Sequence, residues 1–197
     1  VCAYAVQLIT YRITKILTYH EIRFDISYRR TAEQIAAIRP VRNDAAFRVE
    51  IREQLQSFAE TRAYLVENYD PEVYSVDRIV ENIYGNMPTV AYGMTDVSYT
   101  LIPESGKNRV MEVTISYAAQ APALMTKSRA ATSIARVILS TTEEEGDALF
   151  LELHDALCRF ARYDEDTEEG RGKTVYTDPY TAYGALAQNS AVSTGYA

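Results

Sequence analysis

Ser193 is the residue whose surroundings most suggest chemistry, because it lies in "AVSTGYA" (191–197), where small residues flank a hydroxyl. A serine acts as a nucleophile when a histidine takes its proton and backbone N–H groups stabilise the oxyanion. The sequence has two histidines, His20 and His154, and both precede Ser193. We interpret His154 as a surface residue of a helix rather than as a displaced base. Acyl transfer at Ser193 therefore has no evident base in this sequence.

The segment "AVSTG" can also be compared with the G-x-S-x-G elbow of serine hydrolases. That turn needs a strand directly before the serine and a glycine at its first position. Here the preceding "GALAQNS" has the composition of a helix followed by a turn, and Ala191 takes the place of the glycine. The elbow is therefore the weaker interpretation.

The acidic runs and the cysteines give no support for a metal site or a cofactor, and we expect neither. The runs "TTEEEGD" and "YDEDTEEG" have consecutive carboxylates instead of the alternating ligands and central glycine that wrap a calcium ion. We interpret them as a solvated helix start and a solvated loop. Cys2 and Cys158 are too few for a disulfide framework or a metal cluster, and we expect Cys158 to be a core thiol.

Composition and charge limit the classes of partner. The 197 residues are 47% hydrophobic, and the net charge is -7 at pH 7. Such a chain can form a substantial core, its acidity argues against nucleic acid as a partner, and no apolar run is long enough to span a membrane. The first residue is Val1 rather than Met, which indicates processing and keeps an extracytoplasmic or secreted bacterial location open.

Alternating apolar residues predict several strands. In "HEIRFDISY" the apolar residues share one face, so we expect a half-buried strand that ends at Tyr28. The segments "DVSYTLIP" and "VMEVTISYA" alternate in the same way, and the intervening "PESGKN" predicts a hairpin. Segment 4–19 fits both a helix and a strand, and its β-branched residues favour a strand. We expect the strands that end at Tyr28, Leu101 and Tyr117 to share one sheet.

Helical spacing occurs in three segments. "FRVEIREQLQSFAETRAYLVENY" predicts one helix near 47–66, and "SVDRIVENIYGN" predicts a shorter helix that stops at Gly85. "TEEEGDALFLELHDALCRFARYD" predicts a helix near 147–161 that begins with a Thr142–Glu145 capping box and packs on the sheet. Residues 165–179 have no apolar period and predict a loop. The expected fold is α+β, with a small, mostly antiparallel sheet packed with helices.

From Leu153 onward the chain resembles the transglutaminase-like superfamily, the papain-related group with a Cys-His-Asp triad. The resemblance consists of a helix that ends in "YD", a variable loop, "AYGAL" and then "AVSTGYA". The last piece is similar to the pattern G-V-C-x-G-Y-A of that family, with matches at Val192, Gly195, Tyr196 and Ala197. Ala191 replaces a common glycine, and Ser193 stands at the position of the nucleophilic cysteine. The resemblance covers about a quarter of the chain.

The resemblance implies an α+β leader domain over 1–140, followed over 141–197 by the first helices of a truncated transglutaminase-like core. It implies a thiol enzyme that acts on amide bonds of a protein or peptide, as a peptidase or a transamidase, without a cofactor. Ser193 would lie in the first turn of a helix that begins near Ser190 or Ala191, against the helix near 147–161. There, unpaired N–H groups and the helix dipole favour a thiolate in the family.

Serine ionises far less readily than cysteine, and the family supplies its His and Asp after the nucleophile. We therefore expect an inactive fragment of a longer protein, with Ser193 as an engineered or natural replacement of cysteine. Association with the missing half, or a homo-oligomer, would cover the terminal helix. The alternative hypothesis is a non-catalytic module whose α+β region binds a protein or a cell-wall partner.

Overall fold

The computed structural model describes residues 2–87, 93–169 and 177–196. Helices and a small antiparallel sheet occur together, which confirms the expected α+β class. The helices are α1 (Cys2–Ala5), α2 (Ala32–Ala36), α3 (Asp44–Gln56), α4 (Val76–Asn86), α5 (Ala121–Ser140), α6 (Asp147–Phe160), α7 (Glu165–Glu169), α8 (Ala182–Ala187) and α9 (Ser193–Tyr196). The strands are β1 (Val6–Ile16), β2 (Tyr19–Tyr28), β3 (Arg39–Val41), β4 (Thr61–Val66), β5 (Met94–Pro103), β6 (Arg109–Tyr117), β7 (Arg162–Tyr163) and β8 (Ser190–Ala191).

The strands β1 and β2 form a hairpin of their own. They pair antiparallel across a two-residue turn whose closing pair is Ile16 and Tyr19. The prediction that the strand ending at Tyr28 shares a sheet with the other two is therefore wrong, and so is its half-buried state, because every residue of β2 is exposed. The preference for a strand in segment 4–19 is confirmed by β1.

The other strands of the expected sheet do lie together, in a four-stranded sheet of order β3-β4-β6-β5. Strand β3 is parallel to β4, and β4 is antiparallel to β6. Strands β5 and β6 are neighbours joined by residues 104–108, as the turn residues predicted. Met111, Val113 and Ile115 of β6 are buried, which confirms the face assigned to them.

The single helix predicted near 47–66 is wrong in its second half. Helix α3 ends at Gln56, and residues 61–66 form β4 instead. Phe58 has a φ of 50°, a left-handed conformation that no helix continues. Beyond it, Tyr64 and Val66 are fully buried two residues apart, which is the spacing of a strand.

The shorter predicted helix is confirmed as α4, although it runs one residue past Gly85. The capping box is wrong: α6 starts at Asp147 after Gly146 at φ 61°, and the Thr142 hydroxyl donates to the carbonyl of Leu139 at 2.8 Å. Within the second unit, helix α6 packs against α5 and α8. Within the predicted loop, residues 165–169 form α7, and residues 170–176 lie outside the described residues.

The chain divides into two compact units that interleave in sequence. The first unit contains the residues up to Glu50 together with Thr61–Val76 and Ser98–Thr114, and the second contains the rest. The division into a leader domain (1–140) and a core (141–197) is implied by the family resemblance, and these compact units do not test it. It stays a prediction. No helix within the described ranges has both the length and the apolar composition needed to cross a bilayer.

Aromatic side chains dominate the core of the first unit. Phe47 of α3 contacts Tyr64 and Tyr74 edge-on, with ring centroids 5.5 and 5.8 Å apart. Such edge-to-face pairs stabilise beyond the area that they bury. Val41, Val110 and Met111 are also buried in this unit, so β3, β4 and β6 are fixed to one another.

Helix α5, which none of the sequence patterns predicted, is the central element of the second unit. Its Leu124 and Ala131 form a buried cluster with Phe58, against which Tyr183 and Leu186 of α8 pack. Gly93, at φ 66°, lies where an added Cβ would meet Leu124 at 3.0 Å. The helix thereby holds α8, and with it the segment that leads to Ser193, in place.

Candidate functional site

The segment around Ser193 is built by a pair of two-residue strands. Strand β8 pairs in parallel with β7, and the Asp164 amide donates to the Ala191 carbonyl at 3.0 Å. The Asn189 side-chain amide donates to the Phe160 carbonyl at 3.1 Å, which joins the start of β8 to the end of α6. Ala191 and Val192 are buried, and Ser193 is exposed as the first residue of α9.

The predicted helix start at Ser190 or Ala191 is wrong by two or three residues. Those two residues are extended because they form β8, and their backbone groups are therefore engaged with β7. The helix can begin only after this pairing ends. Ser193 nevertheless lies in the first turn, as expected, and Leu157 of α6 packs against the Ala185 and Ala191 cluster beneath it.

Two glycines in this region permit close backbone approach. An added Cβ at Gly195 would collide with the carbonyl oxygen of Pro179, and one at Gly184 would collide with that of Asp178. The Val192 amide donates to the same Pro179 carbonyl at 3.0 Å. Gly195 thereby lets the Pro179 segment approach the start of α9 closely. The side chain of Tyr196 and the whole of Ala197 lie outside the described residues.

The described residues show no hydrogen bond between Ser193 and either histidine. His20 lies near the tip of the hairpin, opposite Lys15. His154 lies on α6 with 69% of its side chain exposed, which agrees with its interpretation as a surface residue. Ser193 thus has the helix-terminal position that the resemblance implies, without a base beside it in the described structure.

Helix α6 carries a cluster of three side chains, Cys158, His154 and Asp155, that the sequence patterns did not predict. The Cys158 sulfur lies 3.6 Å from Nε2 of His154, whose Nδ1 lies 3.3 Å from a carboxylate oxygen of Asp155. The signal was available as H-D-x-x-C, because residues i and i+4 share a helix face. The expectation that Cys158 is a core thiol is wrong, since it is exposed. All three side chains face solvent, whereas nucleophilic catalysis depends on water-excluded, preorganised donors.

The hairpin carries the largest exposed apolar surface described in the first unit. Three cross-strand pairs point to one side and define what we call the apolar face: Ile9–Ile26, Tyr11–Phe24 and Ile13–Ile22. Their side chains are between 45% and 67% exposed, and the Tyr11 and Phe24 rings lie 6.4 Å apart. Sequence alternation identified this face on β2 but assigned it to the interior.

The opposite side of the hairpin, the polar face, carries threonines and charges. Arg12 lies directly opposite Arg23, Thr10 opposite Asp25, and Thr14 opposite Glu21. Directly opposed like charges destabilise a strand pair. In the described structure, neither Arg12, Arg23 nor Asp25 has an ion-pair partner.

A polar cluster anchors the base of the hairpin to the four-stranded sheet. The Tyr4 hydroxyl donates to Glu112 at 2.8 Å, and Arg30 pairs with the same carboxylate at 2.9 Å while its guanidinium lies 4.7 Å from the Tyr4 ring centroid. Burial, followed by the Glu112 carboxylate, raises the pKa of Tyr4 and keeps the hydroxyl a donor. Beside this anchor, an apolar groove of about 650 Å³ joins Ile9 and Ile26 to Ile35.

Comparison with known proteins gives no match among protein-family models, curated proteins or solved structures.

Proposed function

We propose that the chain is a non-catalytic protein-interaction module and that the hairpin is its binding element. The single observation that carries this proposal is the exposed apolar face on a hairpin whose strands are ten and eleven residues long. Its six side chains expose on the order of 600 Å² together, close to the roughly 800 Å² that each partner contributes to a standard interface.

The stability of the hairpin argues that a partner covers its apolar face. A two-stranded hairpin is marginally stable in water unless its apolar face packs on something. The polar cluster at the base fixes the hairpin where it leaves the sheet, so the face is held in position for a partner. Extended apolar patches of this size on soluble chains mark interaction sites. The partner chemistry that fits is a protein that offers an apolar strand or sheet surface.

The proposal is tested by selecting peptides that bind the wild-type chain but not a variant of the apolar face. A random-peptide display library is panned on the immobilised chain, with the Tyr11→Thr/Phe24→Thr variant as counter-selection, because threonine preserves the strand and removes the rings. Selected peptides should bind the wild-type chain and lose at least tenfold in affinity for the variant. The control, Thr10→Val/Thr14→Val on the polar face, should stay within twofold. Peptides that bind both hairpin variants and the wild type equally would contradict the proposal.

A second candidate function is the truncated transglutaminase-like thiol enzyme implied by the resemblance. It is favoured by the exposed position of Ser193 at the start of α9 and by the close approach at Gly195. Under this proposal, residues after the described segment would supply the His and Asp, and this chain alone is inactive.

The thiol proposal is tested on Ser193→Cys in a Cys2→Ser/Cys158→Ser background. Alkylation by iodoacetamide across pH should report a thiol pKa below the usual value of about 8.5, since a helix start favours thiolate. An ordinary or raised thiol pKa would count against this candidate. Hydrolysis or transamidation of amide substrates by that variant alone would contradict the expectation of an incomplete enzyme.

A further inference from the structure

We infer that the hairpin also binds a second copy of this chain, and that the two copies pair antiparallel along the outer edge of β2 about a twofold axis at Phe24. This inference goes beyond the proposed function, because edge pairing leaves the apolar faces of both copies exposed for the protein partner. In the resulting register Arg23 lies opposite Asp25 of the other copy, Ile22 lies opposite Ile26, and Phe24 lies opposite itself.

The outer edge of β2 is open for this pairing. The hairpin is a two-stranded sheet, so among the described strands β2 has β1 as its one neighbour. Hydrogen-bonded and non-hydrogen-bonded pairs alternate along an antiparallel ladder, starting here from the closing pair Ile16–Tyr19. The backbone groups of the even-numbered residues from His20 to Tyr28 therefore point away from β1. Phe24 is the middle one of these five residues.

The charges of β2 select this register. Within the hairpin, Arg23 lies directly opposite Arg12, and Asp25 lies directly opposite Thr10. Neither charge therefore has an opposite charge directly across from it. With the twofold axis at Phe24, each Arg23 gains the Asp25 of the other copy as a directly opposed partner, twice per dimer. Opposite charges in directly opposed positions stabilise a strand pair, and like charges destabilise it.

Other positions of the twofold axis either lose the opposed opposite charges or leave outward-facing residues of β2 without a partner. Centring the axis on Arg23 or Asp25 places like charges opposite each other. Centring it on Ile22 pairs Arg23 with Glu21 but leaves Ile26 and Tyr28 beyond the register of the outward-facing residues. Strand β1 has Arg12 and Lys15 as its charged residues, so pairing of two β1 edges offers no opposite charges.

The scale of the contact is sufficient for a specific dimer. Five outward-facing residues in each copy would exchange about ten main-chain hydrogen bonds, which is the typical number in a protein interface. The side chains of Ile22, Phe24 and Ile26 lie on the same side in both copies, because directly opposed residues share a face. The two apolar faces would thus become one continuous surface across four strands.

The first experiment exchanges the charges and measures the dimer dissociation constant by sedimentation. The wild-type chain should dimerise, and Arg23→Asp or Asp25→Arg should each raise the dissociation constant at least tenfold. The double exchange Arg23→Asp/Asp25→Arg should return it to within threefold of the wild type, because the complement is restored. Arg12→Gln, on the same face of β1, is the matched control and should leave the dimer intact.

The second experiment determines the register in a Cys2→Ser/Cys158→Ser background. Phe24→Cys should form a disulfide-linked dimer on mild oxidation, since opposed Cα atoms in a hydrogen-bonded pair lie about 5.5 Å apart. Ile22→Cys should not form one. Cross-linking through Ile22→Cys instead, or a double exchange that fails to restore dimerisation, would overturn this inference. A monomer that still binds selected peptides through the apolar face would overturn the dimer while leaving the proposed function in place.

Discussion

The rings of Phe47 and Tyr64 meet edge-on at 82°, and both side chains are fully buried. This contact ties α3 to β4 in the first unit, and the carbonyl of Glu50 on the same helix accepts from the Tyr64 hydroxyl at 3.4 Å. Stability of this unit should therefore be more sensitive here than anywhere on its surface.

Phe47→Ala should lower the free energy of unfolding by about 3–5 kcal/mol, because it removes a buried ring and leaves a cavity. Urea denaturation followed by circular dichroism measures the change. Val49→Ala on the same helix is the control: Val49 is 51% exposed, and its replacement should change stability by less than about 1 kcal/mol. Equal losses for both variants would show that Phe47 is not part of the core.

Alkaline pH should destabilise the first unit through its buried tyrosines. Burial is the main cause that raises the pKa of Tyr64 well above its ordinary value of 10.0, and burial also raises that of Tyr74. The unfolded chain loses these protons near pH 10 while the folded chain keeps them, so stability present below pH 10 falls as pH rises. Urea midpoints measured between about pH 8 and 11, at intervals of about one pH unit, give the decline.

The tyrosine prediction has a matched pair of variants. Tyr64→Phe should flatten the alkaline decline, since it removes the group whose pKa differs most between the folded and unfolded chains. Tyr11→Phe is the matched control, because it removes the hydroxyl of a tyrosine that is 67% exposed. An alkaline decline identical in all three chains would contradict the assignment to Tyr64.

Gly184→Ala should loosen the segment that carries Ser193. The added methyl group would collide with the Asp178 carbonyl, so α8 or the turn before it must shift. Hydrogen exchange should become at least tenfold faster at the Val192 amide, which donates to the Pro179 carbonyl. Ala187→Ser, in the last turn of α8, is the control, and its exchange rates should match the wild type.

Cys158 should react with thiol reagents in the folded chain. In a Cys2→Ser background, 5,5′-dithiobis(2-nitrobenzoic acid) should titrate the remaining thiol without denaturant, because Cys158 is exposed. A thiol that reacts only after unfolding would restore its interpretation as a core residue. His154→Ala measures the contribution of the neighbouring imidazole, which lies 3.6 Å from the sulfur.

The sequence predicted elements where periodicity and burial coincide. Val76, Ile79, Val80 and Ile83 form a stripe that fits only a helix, and all four are buried in α4. The prediction of a helix was wrong for residues 61–66, because Phe58 and Leu65 continue the helical spacing of α3 by coincidence. The left-handed conformation of Phe58 that ends the pattern has no signal in residue type, since Gly and Asn are the usual residues there.

The exposure of the apolar face of the hairpin could not be predicted from the sequence. Alternation placed Ile22, Phe24 and Ile26 on one face correctly, but it says nothing about what covers that face. Likewise, helix spacing identified the stripe of α6 while leaving open that Cys158 lies off it. The position of Ser193 was predicted to within its helical turn from the resemblance, whereas the short β7–β8 pairing depends on residues far apart in sequence and was not predicted.

The two-residue turn of the hairpin has a consequence for the order of events during synthesis. A local hairpin forms within about 1–10 μs, whereas the central pairing of β4 with β6 must wait until residues 109–117 have been translated. At ribosomal speeds of roughly 5–20 residues per second, the chain between Tyr28 and Arg109 takes on the order of ten seconds to make. The hairpin can therefore form before its anchor residue Glu112 has been made, and because an isolated hairpin is marginally stable, pairing of two nascent chains along the β2 edge would stabilise it before the four-stranded sheet exists.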